Sequence, residues 1–201
     1  MKKTKLDLSV MWHISSLLHP FPVTIVTSVD NNSRINAGAF SLVLPFCSSS
    51  NNPQLLLIAN SAWHTAKNIE ATGEFVVNYP TADQADDIME TARFYPEEVN
   101  ELDHTEYTTM PSNHVQPPLI AECFQHIECR VYDIIRPSKN QINVIADILE
   151  VSIDDSLCKL SRFEKIRILN VPVYFGIDDR QNHIFGNVEN IVVNKKSLVD
   201  M

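Results

Sequence analysis

The segment from Gln141 to Ile153 constrains the fold more than any other part of the chain. Its apolar residues fall at Ile142, Val144, Ala146 and Ile148, the period of two expected of a strand with one buried face. The phase then shifts to Leu149, Val151 and Ile153. That shift predicts a β-bulge between 148 and 149, because one extra residue returns the opposite parity to the same face. The preceding stretch repeats the pattern, with Cys123, Ile127, Cys129 and Val131 on one side and His126, Glu128 and Arg130 on the other. Two adjacent alternating runs commit this part of the chain to a sheet.

Other strands follow from β-branched and aromatic runs: 23–29, 35–46, 54–59, 74–79, 173–178 and 182–187. Helices are predicted over 6–18, ended by His19-Pro20-Phe21-Pro22, over 61–73, over 83–94 and around 159–169. In the second of these a serine or threonine can cap the start, and Gly73 stands at the C-terminal cap. Residues 95–118 have no clear period and contain several prolines, which predicts a long excursion. Strands dominate, the helices are short, and none alternates as βαβ. The expected class is mainly β, a barrel rather than a doubly wound sheet. One domain over residues 1–201 is expected, with a loose tail from about 190.

The chain has only four glycines, and the closest two, Gly176 and Gly186, are ten residues apart. That excludes both GxGxxG and the P-loop as nucleotide cradles. A net charge of -9 argues against nucleic acid as a partner. No apolar run approaches the length of a membrane span. The four cysteines form no CxxC pair, so the expected setting is cytoplasmic, with reduced thiols.

Two short stretches could cradle one ligand. Thr27-Ser28 and Asn36-Ala-Gly-Ala-Phe-Ser41 offer hydroxyls, small residues and exposed amides. His64-Thr65-Ala-Lys67-Asn68 lies in the first turn of a predicted helix, where unpaired N–H groups and the dipole favour a phosphate. Thr65 and Asn68 are three apart and share a helix face. The same threonine and asparagine would also serve as simple caps.

These stretches occur in an order that resembles the flavin reductase-like, FMN-binding split-barrel family, which includes flavoredoxins and the reductase components of two-component monooxygenases. The matching pieces are Pro22-Val-Thr-Ile-Val-Thr-Ser28, Asn36-Ala-Gly-Ala-Phe-Ser41, Asn52-Pro-Gln-Leu-Leu-Leu-Ile58, His64-Thr-Ala-Lys-Asn-Ile69 and Thr72-Gly-Glu-Phe-Val-Val-Asn78. Later, Pro117-Pro118-Leu-Ile-Ala-Glu-Cys123 and Ile127-Glu-Cys-Arg130 also resemble it, so that residues 10–155 are covered.

The resemblance implies a Greek-key split β-barrel that binds FMN and forms a homodimer. It also implies hydride transfer from NAD(P)H to flavin, with electrons passed on to a small acceptor or a partner monooxygenase. By position, it implies that Thr27, Ser28, Asn36, Ala37 and Ser41 touch the flavin and its ribityl-phosphate. Ala59 and Asn60 would lie on the adjoining strand end, and His64, Thr65 and Asn68 at the phosphate. Trp63 and His64 stand where many relatives carry a lysine and an aspartate, and the Cys47–Asn52 loop looks long. Arg93, Phe94 and Tyr95, at the start of the excursion, come into consideration as flavin contacts. Other functions on the same fold are a pyridoxamine-phosphate oxidase-like enzyme, a non-catalytic flavin carrier or sensor, and an interaction module without cofactor.

The remaining constellations point to no chemistry. Cys123, His126 and Cys129 have a metal-like spacing, but on a strand the two cysteines face away from the histidine. They are expected to be core thiols, and no metal is expected. The acidic run 96–103 reads as a solvated face.

Overall fold

The computed structural model describes residues 19–49, 51–177 and 183–188. The helix expected over 6–18 and the tail from about 190 lie outside the described residues. In chain order the elements are β1 (Phe21–Pro22), β2 (Thr24–Val29), β3 (Ile35–Phe40), β4 (Val43–Ser49), β5 (Asn52–Asn60) and α1 (His64–Thr72). Then come β6 (Glu74–Tyr79), α2 (Ala85–Thr91), β7 (Thr109–Met110), β8 (Leu119–Ile120), β9 (Gln125–Ser138) and β10 (Gln141–Ile153). The last are α3 (Asp155–Cys158), α4 (Arg162–Ile168), β11 (Pro172–Ile177) and β12 (His183–Asn187).

Seven antiparallel strands form the main sheet in the order β3-β2-β6-β9-β10-β5-β4. The two edge strands, β3 and β4, are consecutive and joined only by Ser41 and Leu42. Laid flat, six inter-strand gaps of about 4.8 Å would separate them by about 29 Å. A two-residue corner reaches only about 11 Å at 3.8 Å per Cα step. The sheet must therefore curl until its edges meet, and it becomes a barrel. Because β3 and β4 are not paired with each other, the barrel stays split along that seam.

The corner corrects one sequence expectation. The strand predicted over 35–46 is two strands that belong to opposite edges. The Cys47–Asn52 segment is also not a long loop. Cys47, Ser48 and Ser49 pair with Gln54, Pro53 and Asn52 in a tight hairpin.

The barrel core gathers Val26, Phe40, Leu55, Leu57, Phe75, Val77, Ile127, Cys129, Ile142 and Val144. Helix α1 adds Ala66 and Ile69 to it. At its end Gly73 adopts φ 74°, and its N–H bonds to Ile69 O at 2.9 Å, a left-handed cap that suits glycine. The expected side-chain cap at its start is absent. Trp63 holds that position without a side-chain bond, and Asn60 Oδ1 accepts from Ala62 N instead.

A second core lies outside the barrel, where Val23, Ile25, Ala37, Ile88, Leu102, Tyr107, Ile120 and Cys123 meet. Every residue of β2 is buried, since one face points into the barrel and the other into this second core.

Register along β10 shifts between Ile148 and Glu150, where the sequence phase changes, and also at two places the alternation does not reveal. On β9 the outer face is exposed at Arg130 but buried at His126 and Glu128, against their polarity. His126 Nε2 lies 2.8 Å from Ile120 O, and Glu128 accepts from Asn113 N and His114 N at 2.9 and 2.6 Å. The excursion covers this face, and backbone donors satisfy the buried carboxylate. Cys123 precedes β9 and sits in the second core, whereas Cys129 sits inside the barrel, so the two do not share a face. Burial pushes both thiols up, away from the reactive thiolate. Among the described residues, no helix is long and apolar enough to cross a membrane.

Candidate functional site

The β2–β3 hairpin sets the site by parity. Ser28 pairs with Asn36, Thr27 with Ala37 and Val26 with Gly38. Side chains alternate between faces, so Ser28, Asn36 and Gly38 lie on one face while Thr27 and Ala37 point the other way. Helix α1 packs on the first face. Its Asn68 Nδ2 donates to Ser28 Oγ at 3.2 Å, and its Thr65 hydroxyl lies 2.8 Å from the Asn36 amide. The approach is close at Gly38, where an added Cβ would stand 3.0 Å from Thr65 Oγ1. The face shared by Thr65 and Asn68 is thus the one laid on the hairpin.

Ser28, Asn36 and Thr65 are all buried. Asn36 is best satisfied with its oxygen toward Thr65 Oγ1 and its nitrogen toward Glu101 Oε1 at 3.1 Å. Glu101 also accepts from Ala37 N at 3.0 Å. Because β3 is an edge strand, that N–H has no strand to donate to, and the carboxylate covers it. Burial pushes the Glu101 carboxyl up, and the bond from Ala37 N opposes this only in part.

Beside this cluster a cleft of about 240 Å³ opens between the β2–β3 turn and α1. Arg34, Asn36, His64, Lys67, Asn68 and Glu97 line it. Arg34 Nε pairs with Asp30 Oδ2 at 2.6 Å, and Lys67 Nζ pairs with Glu97 Oε1 at 2.6 Å. Hydrogen bonding from the Arg34 backbone, with its guanidinium, holds Asp30 down at about 2. Lys67 holds the Glu97 carboxyl below the usual range. The donors that line the cleft include the amides of Asn36 and Asn68, an imidazole, an ammonium and a guanidinium, a set that fits a phosphate ester, and the Ser28 and Thr65 hydroxyls lie buried behind the two amides.

The structure brings Ser28, Asn36, His64, Thr65 and Asn68 to this place. The others stand apart from it. Thr27 Oγ1 donates to Pro118 O at 2.6 Å, which ties the end of the excursion to β2. Ala37 lies in the second core. Ser41 is at the barrel corner, Ala59 in the barrel core, and Asn60 at the turn into α1. Phe94 is exposed beside Trp63, with ring centroids 6.4 Å apart, and Trp63 in turn meets Phe40 edge-on. Arg93 pairs with Glu90, and Tyr95 donates to Glu90 and stacks on His104.

Asp30, Arg34, Glu97 and Glu101 are the residues that sequence reasoning missed. The run 96–103 is not a solvated face, for Glu101 and Leu102 are buried and Glu97 reaches across to α1. The signal was a pair of apolar residues, Val99 and Leu102, three apart in an acidic run, with Leu102 behind the capping side chain of Asn100.

Comparison with known proteins bears on the family and the fold. The profile of the flavin reductase like domain matches residues 16–165. A protein of Methanothermobacter thermautotrophicus is 31% identical over 118 residues, covering 58% of this chain and 54% of its own length. The chain therefore spans about half the length of that relative. The flavoredoxin of Desulfovibrio vulgaris (Miyazaki F) superposes with a TM-score of 0.78 at 20% identity, covering 98% of this chain and 99% of its own. A protein with a split barrel domain from Shewanella frigidimarina NCIMB 400 also gives a TM-score of 0.78, at 18% identity, over 92% of this chain and 90% of its own. At these identities the structural likeness speaks for the fold, which is the split β-barrel.

Proposed function

Because the chain belongs to the flavin reductase-like domain family, we propose that it is an oxidoreductase that binds FMN in the cleft between the β2–β3 hairpin and α1. It takes electrons from NADH or NADPH and delivers them to a small soluble acceptor or to a partner monooxygenase. It acts in the cytoplasm as a homodimer. The observation that carries this reading is the convergence of Ser28, Asn36, Thr65 and Asn68 beside a cleft lined by Arg34, His64 and Lys67.

Asn68, His64 and Lys67 hold the phosphate, helped by the N–H groups at the start of α1, and Thr65 stands behind them and fixes Asn36. Asn36 meets the ribityl hydroxyls, and Ser28, buried behind the cleft, orients Asn68. Thr27, Ala37, Ser41, Ala59 and Asn60 shape the surroundings through backbone and packing. When bound, FMN supplies the hydride-accepting ring and the onward delivery of electrons. The protein's part is to bind and orient, so no acid–base pair is required of it. Thr65 and Asn68 fix the depth of the ligand, since each is itself fixed by a bond to the hairpin.

The test is the visible spectrum of the purified protein, followed by anaerobic mixing with NADH or NADPH. A flavin spectrum, with FMN identified after denaturation and bleached by a nicotinamide, is expected. A protein that neither carries nor takes up FMN would refute the reading.

A further inference from the structure

The cleft carries two built-in carboxylates, and they differ in how firmly they are held. Asp30 belongs to the same turn as its partner. Its Oδ1 accepts from Asn32 N and Arg34 N at 2.8 and 2.9 Å, and its Oδ2 from Arg34 Nε at 2.6 Å. Three bonds within five residues fix it in place. Glu97 arrives from the excursion, thirty positions beyond Lys67 in sequence. It makes one hydrogen bond, to Lys67 Nζ, and its Oε1 stands 4.0 Å from His64 Nε2. Its side chain is 56% exposed and that of Lys67 50% exposed. Among the described residues lining the cleft, each lysine and arginine is therefore already paired with a carboxylate. An incoming phosphate finds no unpaired lysine or arginine unless one carboxylate withdraws, and only Glu97 can withdraw without unmaking a turn.

We propose that Glu97 is an anionic latch over Lys67 and His64 that a ligand phosphate must displace, and that it sets how tightly the site holds a phosphorylated flavin. The inference rests on the FMN reading of the cleft. Glu97 competes for the two groups that the phosphate needs, and it repels the dianion once displaced. An exposed carboxylate–ammonium contact is weak, so the latch lowers affinity without closing the site. Its effect is to keep FMN exchangeable. A flavin without phosphate gains nothing from Lys67, so its binding does not depend on the latch.

The experiment titrates FMN and riboflavin into flavin-stripped full-length protein, as wild type, Glu97→Gln and Glu98→Gln. Glu98 is the exposed neighbour and makes the same change in net charge. Glu97→Gln should bind FMN about three- to tenfold more tightly, from the lost pairing and the lost repulsion. Riboflavin affinity should stay within about twofold, and Glu98→Gln should match wild type. If wild type binds FMN and Glu97→Gln binds it no more tightly, the latch is overturned and the flavin reading stands. If FMN and riboflavin tighten equally, Glu97 acts on a part common to both flavins and not on the phosphate, and the latch is again overturned. If no form binds either flavin, the FMN reading itself fails.

Discussion

Replacing Thr65 with valine removes one hydroxyl at nearly constant volume, so it opens no cavity of consequence. The hydroxyl lies 2.8 Å from the Asn36 amide, and both residues are buried. Losing a neutral hydrogen bond costs about 1 kcal/mol net, and an orphaned buried acceptor adds up to about 1–3 kcal/mol. The Asn36 oxygen keeps a contact to Ala37 N at 3.2 Å, which limits the second cost. The expected destabilisation is about 1–2 kcal/mol, or about 2–8 °C in Tm for a chain of this size. FMN affinity should fall as well, because this bond fixes the Asn36 amide that lines the cleft and the start of α1 beside it. Urea denaturation measures the first and fluorescence titration with FMN the second. A cycle with Asn36→Ala should give a coupling of about 0.5–1.5 kcal/mol. If Thr65→Val unfolds like wild type, the hairpin–helix bond is not what holds this site. If stability falls while FMN affinity does not, the Thr65–Asn36 bond supports the fold alone and does not shape the ligand site.

Lys67→Ala should weaken FMN binding by about tenfold and leave riboflavin unchanged; equal losses for both would contradict a phosphate at Lys67. Glu101 makes a pH prediction. Burial raises its folded value, so the stability it contributes is full below the unfolded value of 4.5 and is lost as pH rises through the folded one. The stability of Glu101→Gln relative to wild type should therefore climb above pH 4.5 and then level off, and denaturation curves that stay parallel across pH would disprove it. Phe75→Ala, in the barrel core and fully buried, should cost about 3–5 kcal/mol by the same urea assay. A loss under about 1 kcal/mol would mean that the core repacks around the gap.

Local order in this chain was legible from its residues. Alternation at Ile142–Ile148 and the phase change after it marked β10 and its bulge, because side-chain direction in a strand depends only on parity. Gly73 marked the end of α1 because a left-handed cap suits a residue without Cβ. The spacing of Thr65 and Asn68 put both on one helix face, and the motif order around them pointed to a flavin.

Parity also shows why the list of candidate residues could not all converge. Thr27 and Ser28 are neighbours and must face opposite ways, one to Pro118 and one to α1. What no local rule contained was the closure of the sheet. A corner of two residues between β3 and β4 carries no distinctive pattern, yet it turns seven strands into a split barrel and leaves β3 as an edge. That edge gives Glu101 a backbone donor to cover, and the excursion that brings Glu101 also brings Glu97 over Lys67. Periodicity reports which side of its own element a residue occupies. Which carboxylate comes to lie against which lysine, thirty residues away, depends on how the elements meet, and only tertiary packing decides that.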